Sequence, residues 1–222
     1  MPTTTNPNPS RPVPATDPRP LLARAVAVAR PVIAGVRPDQ LDGPTPCDGL
    51  DVRDLLGHVT GALRRVGVIG RGLDVQAHPA ATPGVPDDGW PAVWSATAEE
   101  VERVWSDPAL LARTYQLPWA SLTGAAVLAT YTAEITLHTW DLAVATGQPV
   151  AWDDGVVARS LDAMRQALPT ASRAAQYAAV EATLPPEARP MPAPFADAVE
   201  VAADASPLDQ LVAWSGRRPP SP

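Results

Sequence analysis

Apolar residues recur at helical spacing along most of the chain, and the longest such run covers residues 121–147. This run is apolar apart from a few polar positions, which predicts one long buried helix that ends at Gly147 and Pro149. The same spacing places apolar stripes on three earlier segments, each typical of an amphipathic helix. These segments are residues 21–36, 51–72 and 90–105.

Capping residues predict where several helices begin. Asp51 is a predicted N-cap, Asp153 or Asp154 caps a helix further along, and Ser206 caps the last one ahead of Pro207. Pro31 is expected to kink the first helix or to mark a new start. The remaining segments are a loop at 71–89, an extended or hairpin-like connection at 113–124, a further helix at 170–183 and a Pro-rich extended segment at 184–204.

These elements predict an all-α protein, a helix bundle with an appended C-terminal helical segment. Residues 1–20 are rich in Pro, Thr and Asn and predict a disordered tail. The predicted divisions are this tail, the bundle at 21–150, C-terminal helices at 151–216 that pack on it, and a frayed end at 217–222.

Composition narrows the class of function. The chain has 17 basic and 24 acidic residues, and its net charge of −7 argues against nucleic acid or a membrane surface as a partner. We expect neither a membrane span nor a signal peptide, because no apolar run is long enough for a span and residues 1–20 contain no apolar h-region. The single cysteine gives no sign of an oxidising compartment. We therefore expect a cytoplasmic protein.

Candidate chemistry lies on the longest predicted helix. Glu134 and His138 are four residues apart and share a helical face, and Asp141 follows on nearly the same face. Charged and polar groups in an apolar helix are costly to bury without a partner, and a divalent metal ion would be one such partner. His58, at the edge of the apolar stripe of the helix at 51–72, would complete a three-residue ligand set.

Three protein ligands would leave an open coordination position, which is typical of a catalytic metal site. Zinc is favoured, while iron, nickel or manganese would suit the same ligands. From the spacing alone, an exposed ion pair on a helix surface is the usual explanation for Glu134 and His138, but the apolar residues that flank them make simple exposure less favourable. His78, in a loop, is expected to be a surface residue.

Several other residues could have either a functional or a purely structural role. Asp54 and Asp141 could orient a ligand histidine or could serve only to stabilise their helices. Cys47 is read as a buried structural thiol rather than a nucleophile or fourth ligand. Tyr131 and Arg65 are the candidates to line a pocket beside the site, although an arginine is more often solvated.

Two stretches resemble the mycothiol-dependent maleylpyruvate isomerase and DinB-like metal-binding family. They are TPCDGLDVRDLLGHV at 45–59 and AEITLHTWDLAVATGQPV at 133–150, and DASPLDQLVAWSGRRP at 204–219 resembles the end of an actinobacterial metal-binding subgroup. The resemblance implies an up-down-down-up four-helix bundle whose metal ligands are His58, Glu134 and His138. Characterised relatives use the metal to activate a low-molecular-weight thiol, usually mycothiol or bacillithiol, in isomerisation or S-transfer.

Three hypotheses follow. The first is a metal-dependent S-transferase or isomerase that uses mycothiol and a small-molecule substrate. The second is a metal-binding or small-ligand-binding sensor on the same scaffold, without turnover. The third is a structural bundle whose polar triad is satisfied by hydrogen bonds. The chain is expected to be a monomer or a homodimer, with Trp90, Trp94 and Trp105 either in the core or facing a partner copy.

Overall fold

Helices make up most of the structure, a computed structural model that describes residues 17–118, 120–183 and 195–219. Two short antiparallel strands form the only sheet among these residues. In chain order the elements are α1 (Arg19–Ala34), α2 (Val52–Gly70), α3 (Trp90–Val104), β1 (Thr114–Leu117), β2 (Ala120–Thr123), α4 (Gly124–Thr146), α5 (Asp154–Ala167), α6 (Arg173–Thr183) and α7 (Pro207–Trp214).

The predicted caps begin their helices. The Asp51 carboxylate accepts a hydrogen bond from the backbone of Asp54 at 2.8 Å, and the Asp153 carboxylate does the same at the start of α5. The Ser206 hydroxyl accepts from the backbone of Asp209 at 3.1 Å. At the other end of α4, Gly147 adopts a left-handed conformation with φ of 67° and ends the helix as predicted.

Helices α1 to α4 form the bundle. Gly57 lies against Trp90 and Gly70 against Trp105, so α2 and α3 run in the same direction. Helices α2 and α4 run in opposite directions, because Trp105 lies against both the end of α2 at Gly70 and the start of α4 at Gly124, while the first half of α2 meets the second half of α4. Helix α1 runs with α4, and a hydrogen bond of 2.9 Å from Gln148 to the Val32 carbonyl joins their C-terminal ends. The expected up-down-down-up arrangement is confirmed.

The starts of two helices differ from the predicted positions. The hairpin-like connection predicted at 113–124 is confirmed, because residues 120–123 pair with β1 in a hairpin. Helix α4 therefore starts at Gly124 rather than at residue 121. Helix α1 starts at Arg19, inside the segment predicted as a disordered tail, and continues through Pro31 without a new start. Arg19 is held by carbonyl groups at the end of α3, which explains the earlier start. Residues 1–16 of the predicted tail lie outside the described residues.

The tryptophans of α3 belong to the core. Trp90, Trp94 and Trp105 are only 4%, 0% and 2% exposed. The indole N–H of Trp94 donates to the Val26 carbonyl, and that of Trp105 donates to the Val66 carbonyl. These side chains therefore tie α3 to α1 and α2, and they offer no surface to a partner copy.

The C-terminal helices add a second core on α4. Helix α5 packs on α4, and α7 packs on α5. A small apolar cluster joins them, with Leu137, Val157, Leu161, Met164 and Leu211 among its buried members. The predicted fraying at 217–222 is wrong for Arg217, which is buried. Residues 184–194 and 220–222 lie outside the described part of the chain.

No helix among the described residues combines the length and the apolar character that a membrane crossing needs.

Candidate metal centre

Three side chains that are distant in sequence meet between α2 and α4. The Nε2 atom of His58 lies 3.1 Å from Nε2 of His138 and 3.2 Å from Oε1 of Glu134. His138 Nε2 lies 3.4 Å from the same carboxylate oxygen. The predicted ligand set is thus brought together, with one helical turn of α4 supplying two members and the first half of α2 supplying the third.

The hydrogen bond made by Nδ1 of His138 determines which of its two ring nitrogens carries a hydrogen. Its Nδ1 atom lies 2.9 Å from a carboxylate oxygen of Asp141, which can only accept, so Nδ1 carries the hydrogen. In a neutral imidazole Nε2 is then an acceptor, and it faces the Glu134 carboxylate and His58 Nε2. A single hydrogen on His58 Nε2 would then have to be donated to both His138 Nε2 and Glu134 Oε1. A cation at the centre would satisfy all three groups together.

The spacing of these atoms matches a tetrahedral cation. Imidazole nitrogens and carboxylate oxygens bind zinc at about 2.0–2.2 Å, so two such ligands on a tetrahedral ion lie about 3.4 Å apart. The separations between His58, Glu134 and His138 are 3.1 to 3.4 Å. Because neutral imidazole and carboxylate groups suit divalent transition metals, the donor set fits such an ion.

One side of the cluster is open. The side chain of His138 is 6% exposed, whereas those of His58 and Glu134 are 29% and 26% exposed. A small molecule can therefore approach from the side of His58 and Glu134, while His138 forms the floor of the site.

The electrostatics of the cluster favour its charged forms. Burial lowers the pKa of His138, but hydrogen bonds to Asp141 and Glu134 outweigh that effect and raise it to about 9. Burial raises the pKa of Glu134, but the two histidines outweigh it and hold that pKa well below its usual range. Without a metal, the site therefore holds a proton where an ion would bind.

Asp141 contacts both a candidate ligand histidine and an arginine. It is fully buried, it accepts the hydrogen bond from His138 Nδ1, and it accepts two from Arg217 at 2.6 and 2.8 Å. Sequence reasoning missed Arg217, because it lies 76 residues from Asp141 in a segment that looks like a solvated tail. Asp54 is exposed, and no hydrogen bond among the described residues joins it to His58.

Cys47 lies next to the cluster. Its sulfur, a His138 ring nitrogen and an Asp141 oxygen lie within 4.8 Å of one another, and they form a second group of potential ligands among the described residues. The cysteine is half-buried and packs against the main core, and burial raises the pKa of its thiol. These features agree with a structural thiol, since Asp141 is already bound by Arg217.

Tyr131 and Arg65 lie on the Glu134 side. Tyr131 is one turn before Glu134 on α4, and burial raises the pKa of its hydroxyl to about 12 despite the nearby charge of Arg65. The Nε atom of Arg65 is buried and has no hydrogen-bond partner among the described residues. His78 lies in the loop after α2, outside this cluster.

The fold and the cluster define an all-α bundle with a candidate metal centre between two antiparallel helices. The mycothiol maleylpyruvate isomerase N-terminal domain matches residues 22–143, which hold all three candidate ligands, and the chain belongs to this family, whose fold is DinB-like. Two similar proteins, each described as uncharacterized, come from two strains of Mycobacterium tuberculosis. Each is 32% identical over 200 residues, covering 89% of this chain and 97% of the relative. No solved structure matches the chain.

Proposed function

We propose that this protein binds one divalent metal ion through His58, Glu134 and His138, and uses it with a low-molecular-weight thiol in S-transfer or isomerisation. The observation that carries the proposal is the convergence of three potential ligand atoms within 3.1–3.4 Å of one another. Zinc is the favoured ion, and mycothiol is the favoured thiol because of the family to which the chain belongs.

A bound divalent ion would lower the pKa of a thiol and supply a thiolate nucleophile at neutral pH. The chain's own residues determine where that thiol can approach. His138 is buried and held by Asp141, so the accessible side is formed by His58 and Glu134. A thiol and its electrophilic partner would therefore meet beside these two residues.

Two further side chains would act on the substrate. Tyr131 stays protonated at neutral pH, so its hydroxyl can donate a hydrogen bond. The guanidinium of Arg65 keeps an unused buried donor next to it. We assign these two residues to binding the oxygen atoms of the substrate, with Arg65 preferring an anionic group such as a carboxylate.

Metal content tests the ligand set. The protein would be purified without an affinity tag or chelator and analysed for metals, as wild type and as His58→Ala, His138→Ala and His78→Ala. We expect about one equivalent in wild type and in His78→Ala, which loses a histidine outside the cluster, and loss of the metal in the other two. Metal-free wild type that also resists reconstitution would favour a structural triad held by hydrogen bonds.

Thiol use needs a second experiment. Cobalt(II) would replace the native ion in a Cys47→Ser variant, so that the chain's own thiol contributes nothing. Mycothiol is then added while the near-ultraviolet absorption is followed. We expect a sulfur-to-cobalt charge-transfer band that saturates with thiol. Metal binding without this band would favour the non-catalytic metal-binding hypothesis.

A further inference from the structure

Arg217 reaches the bundle from the C-terminal end of the chain and binds Asp141. Its Nε and Nη2 atoms lie 2.6 and 2.8 Å from the two carboxylate oxygens, and Nη1 lies 3.2 Å from the Ser215 hydroxyl. Both partners of this ion pair are buried, with side-chain exposures of 8% and 0%. A paired, planar contact of this kind fixes the orientation of the carboxylate as well as its charge.

The same carboxylate holds a candidate ligand. One oxygen of Asp141, Oδ2, accepts from Arg217 Nη2 and from His138 Nδ1, the latter at 2.9 Å. A hydrogen bond to the second nitrogen of a ligating histidine fixes its tautomer and its ring orientation. The three residues thus form one chain of contacts from the C-terminal segment to His138 Nε2.

We infer that Arg217 is a positioning residue of the proposed metal centre, acting on His138 through Asp141. This inference rests on the proposed function. It adds a role for the C-terminal segment, since Arg217 lies outside the residues 22–143 that match the family. Without the guanidinium, the buried Asp141 carboxylate would lose its counter-charge and its fixed orientation, and His138 would lose a defined partner.

The local backbone brings Arg217 into place. Helix α7 ends at Trp214, and the next glycine, Gly216, has φ of 87°, a conformation that other residues rarely adopt. A Cβ atom there would lie 2.8 Å from the Ala196 carbonyl oxygen. The Arg217 N–H then donates to the Val212 carbonyl at 3.2 Å, which turns the chain back toward α4.

The test compares Arg217→Gln with Arg165→Gln. Arg165 belongs to the same C-terminal unit, where it donates to Gln210 and lies over the Trp214 ring, away from the candidate ligands. Zinc affinity would be measured by competition with a chromophoric chelator. We expect a loss of about tenfold or more for Arg217→Gln. Arg165→Gln is expected to stay within about twofold of wild type.

A double-mutant cycle shows whether Arg217 acts through Asp141. If it does, Arg217→Gln combined with Asp141→Asn will bind zinc no more weakly than Asp141→Asn alone. Additive losses, or wild-type affinity in Arg217→Gln, would overturn the inference and leave the metal site intact. If Arg217→Gln does not fold, Arg217→Lys carries the test, because it keeps the charge but not the paired contact, and it should also bind more weakly. Failure of wild type to bind zinc would overturn the proposed function, and the inference with it.

Discussion

The Nε2 atoms of His58 and His138 lie 3.1 Å apart although 80 residues separate the two histidines in the sequence. They belong to antiparallel helices, so an ion bound between them would join α2 to α4. Ligand binding to the folded state alone stabilises that state, and the unfolded chain does not hold these groups together. The predicted metal site should therefore be visible in the stability of the fold.

Zinc should raise the stability of the metal-free protein. At about 100 times the dissociation constant, we expect a gain of about 2.7 kcal/mol in the free energy of unfolding. Glu134→Ala removes a proposed ligand and should abolish most of this gain, whereas Glu99→Ala, at an exposed position on α3, should keep it. Urea denaturation with zinc and with chelator measures the difference. An equal gain in both variants would remove Glu134 from the ligand set.

The metal-free protein should lose stability as the pH rises. The pKa of His138 is about 9 in the folded state against an ordinary 6.5, so its contribution is complete below 6.5 and is lost as the pH rises through about 9. The shift corresponds to about 3 kcal/mol. Glu134 and Asp141 have lowered pKa values, so their contributions are present above their ordinary values of 4.5 and 3.8 and are lost at lower pH.

Urea denaturation across pH 5 to 10 with chelator present measures this dependence. His138→Gln should flatten the decline above neutral pH, while His78→Gln, in the loop outside the cluster, should retain it. A wild-type decline that survives in His138→Gln would show that another group titrates. With metal present, affinity should rise with pH until His138 has lost its proton.

Gly61 should be required for the close approach of the loop after α2 to that helix. A Cβ atom there would lie 2.3 Å from the Ala80 carbonyl oxygen and 2.9 Å from Ala81 Cα, both backbone atoms that cannot easily move. We expect Gly61→Ala to cost about 1–3 kcal/mol of unfolding free energy. Gly67→Ala, on the same helix, meets only the Val101 side chain at 3.6 Å and should gain up to about 1 kcal/mol from helix propensity. Equal effects on the urea midpoint would contradict this contact.

Cys47 should not be needed for the metal. Its sulfur is near His138 and Asp141, but Asp141 is engaged by Arg217, and His138 directs Nδ1 to Asp141 rather than to the cysteine. Cys47→Ala should therefore retain one equivalent of metal by elemental analysis, with a stability loss limited to a partly filled cavity. Loss of the metal from Cys47→Ala would instead indicate that the metal binds to the second group of potential ligands, Cys47, His138 and Asp141.

Part of the candidate site and several helix starts could be predicted from the sequence, because they depend on residues that are close together in the chain. Glu134 and His138 are one helical turn apart, so their shared face follows from helix geometry. Asp51, Asp153 and Ser206 each cap a helix through a hydrogen bond to the next turn, and such short-range bonds are encoded by neighbouring residues.

Contacts between segments that are distant in the chain could not be predicted from local sequence patterns. The pattern placed residues 121–123 both in the long helix and in a hairpin-like connection, and only the pairing with β1 in three dimensions assigns them to the hairpin. The α3 tryptophans fit either a core or an interface by pattern, and only the packing of α1 and α2 around them places them inside.

The sequence by itself determined the helical class, most helix limits and the two α4 residues of the candidate site, because helix periodicity and capping act over a few residues. The tertiary structure decided that His58 meets them and that Arg217, near the end of the chain, contacts Asp141 beside the candidate site. A guanidinium and a carboxylate 76 residues apart leave no periodic signal, and only the packing of α5 on α4 and of α7 on α5 brings them together.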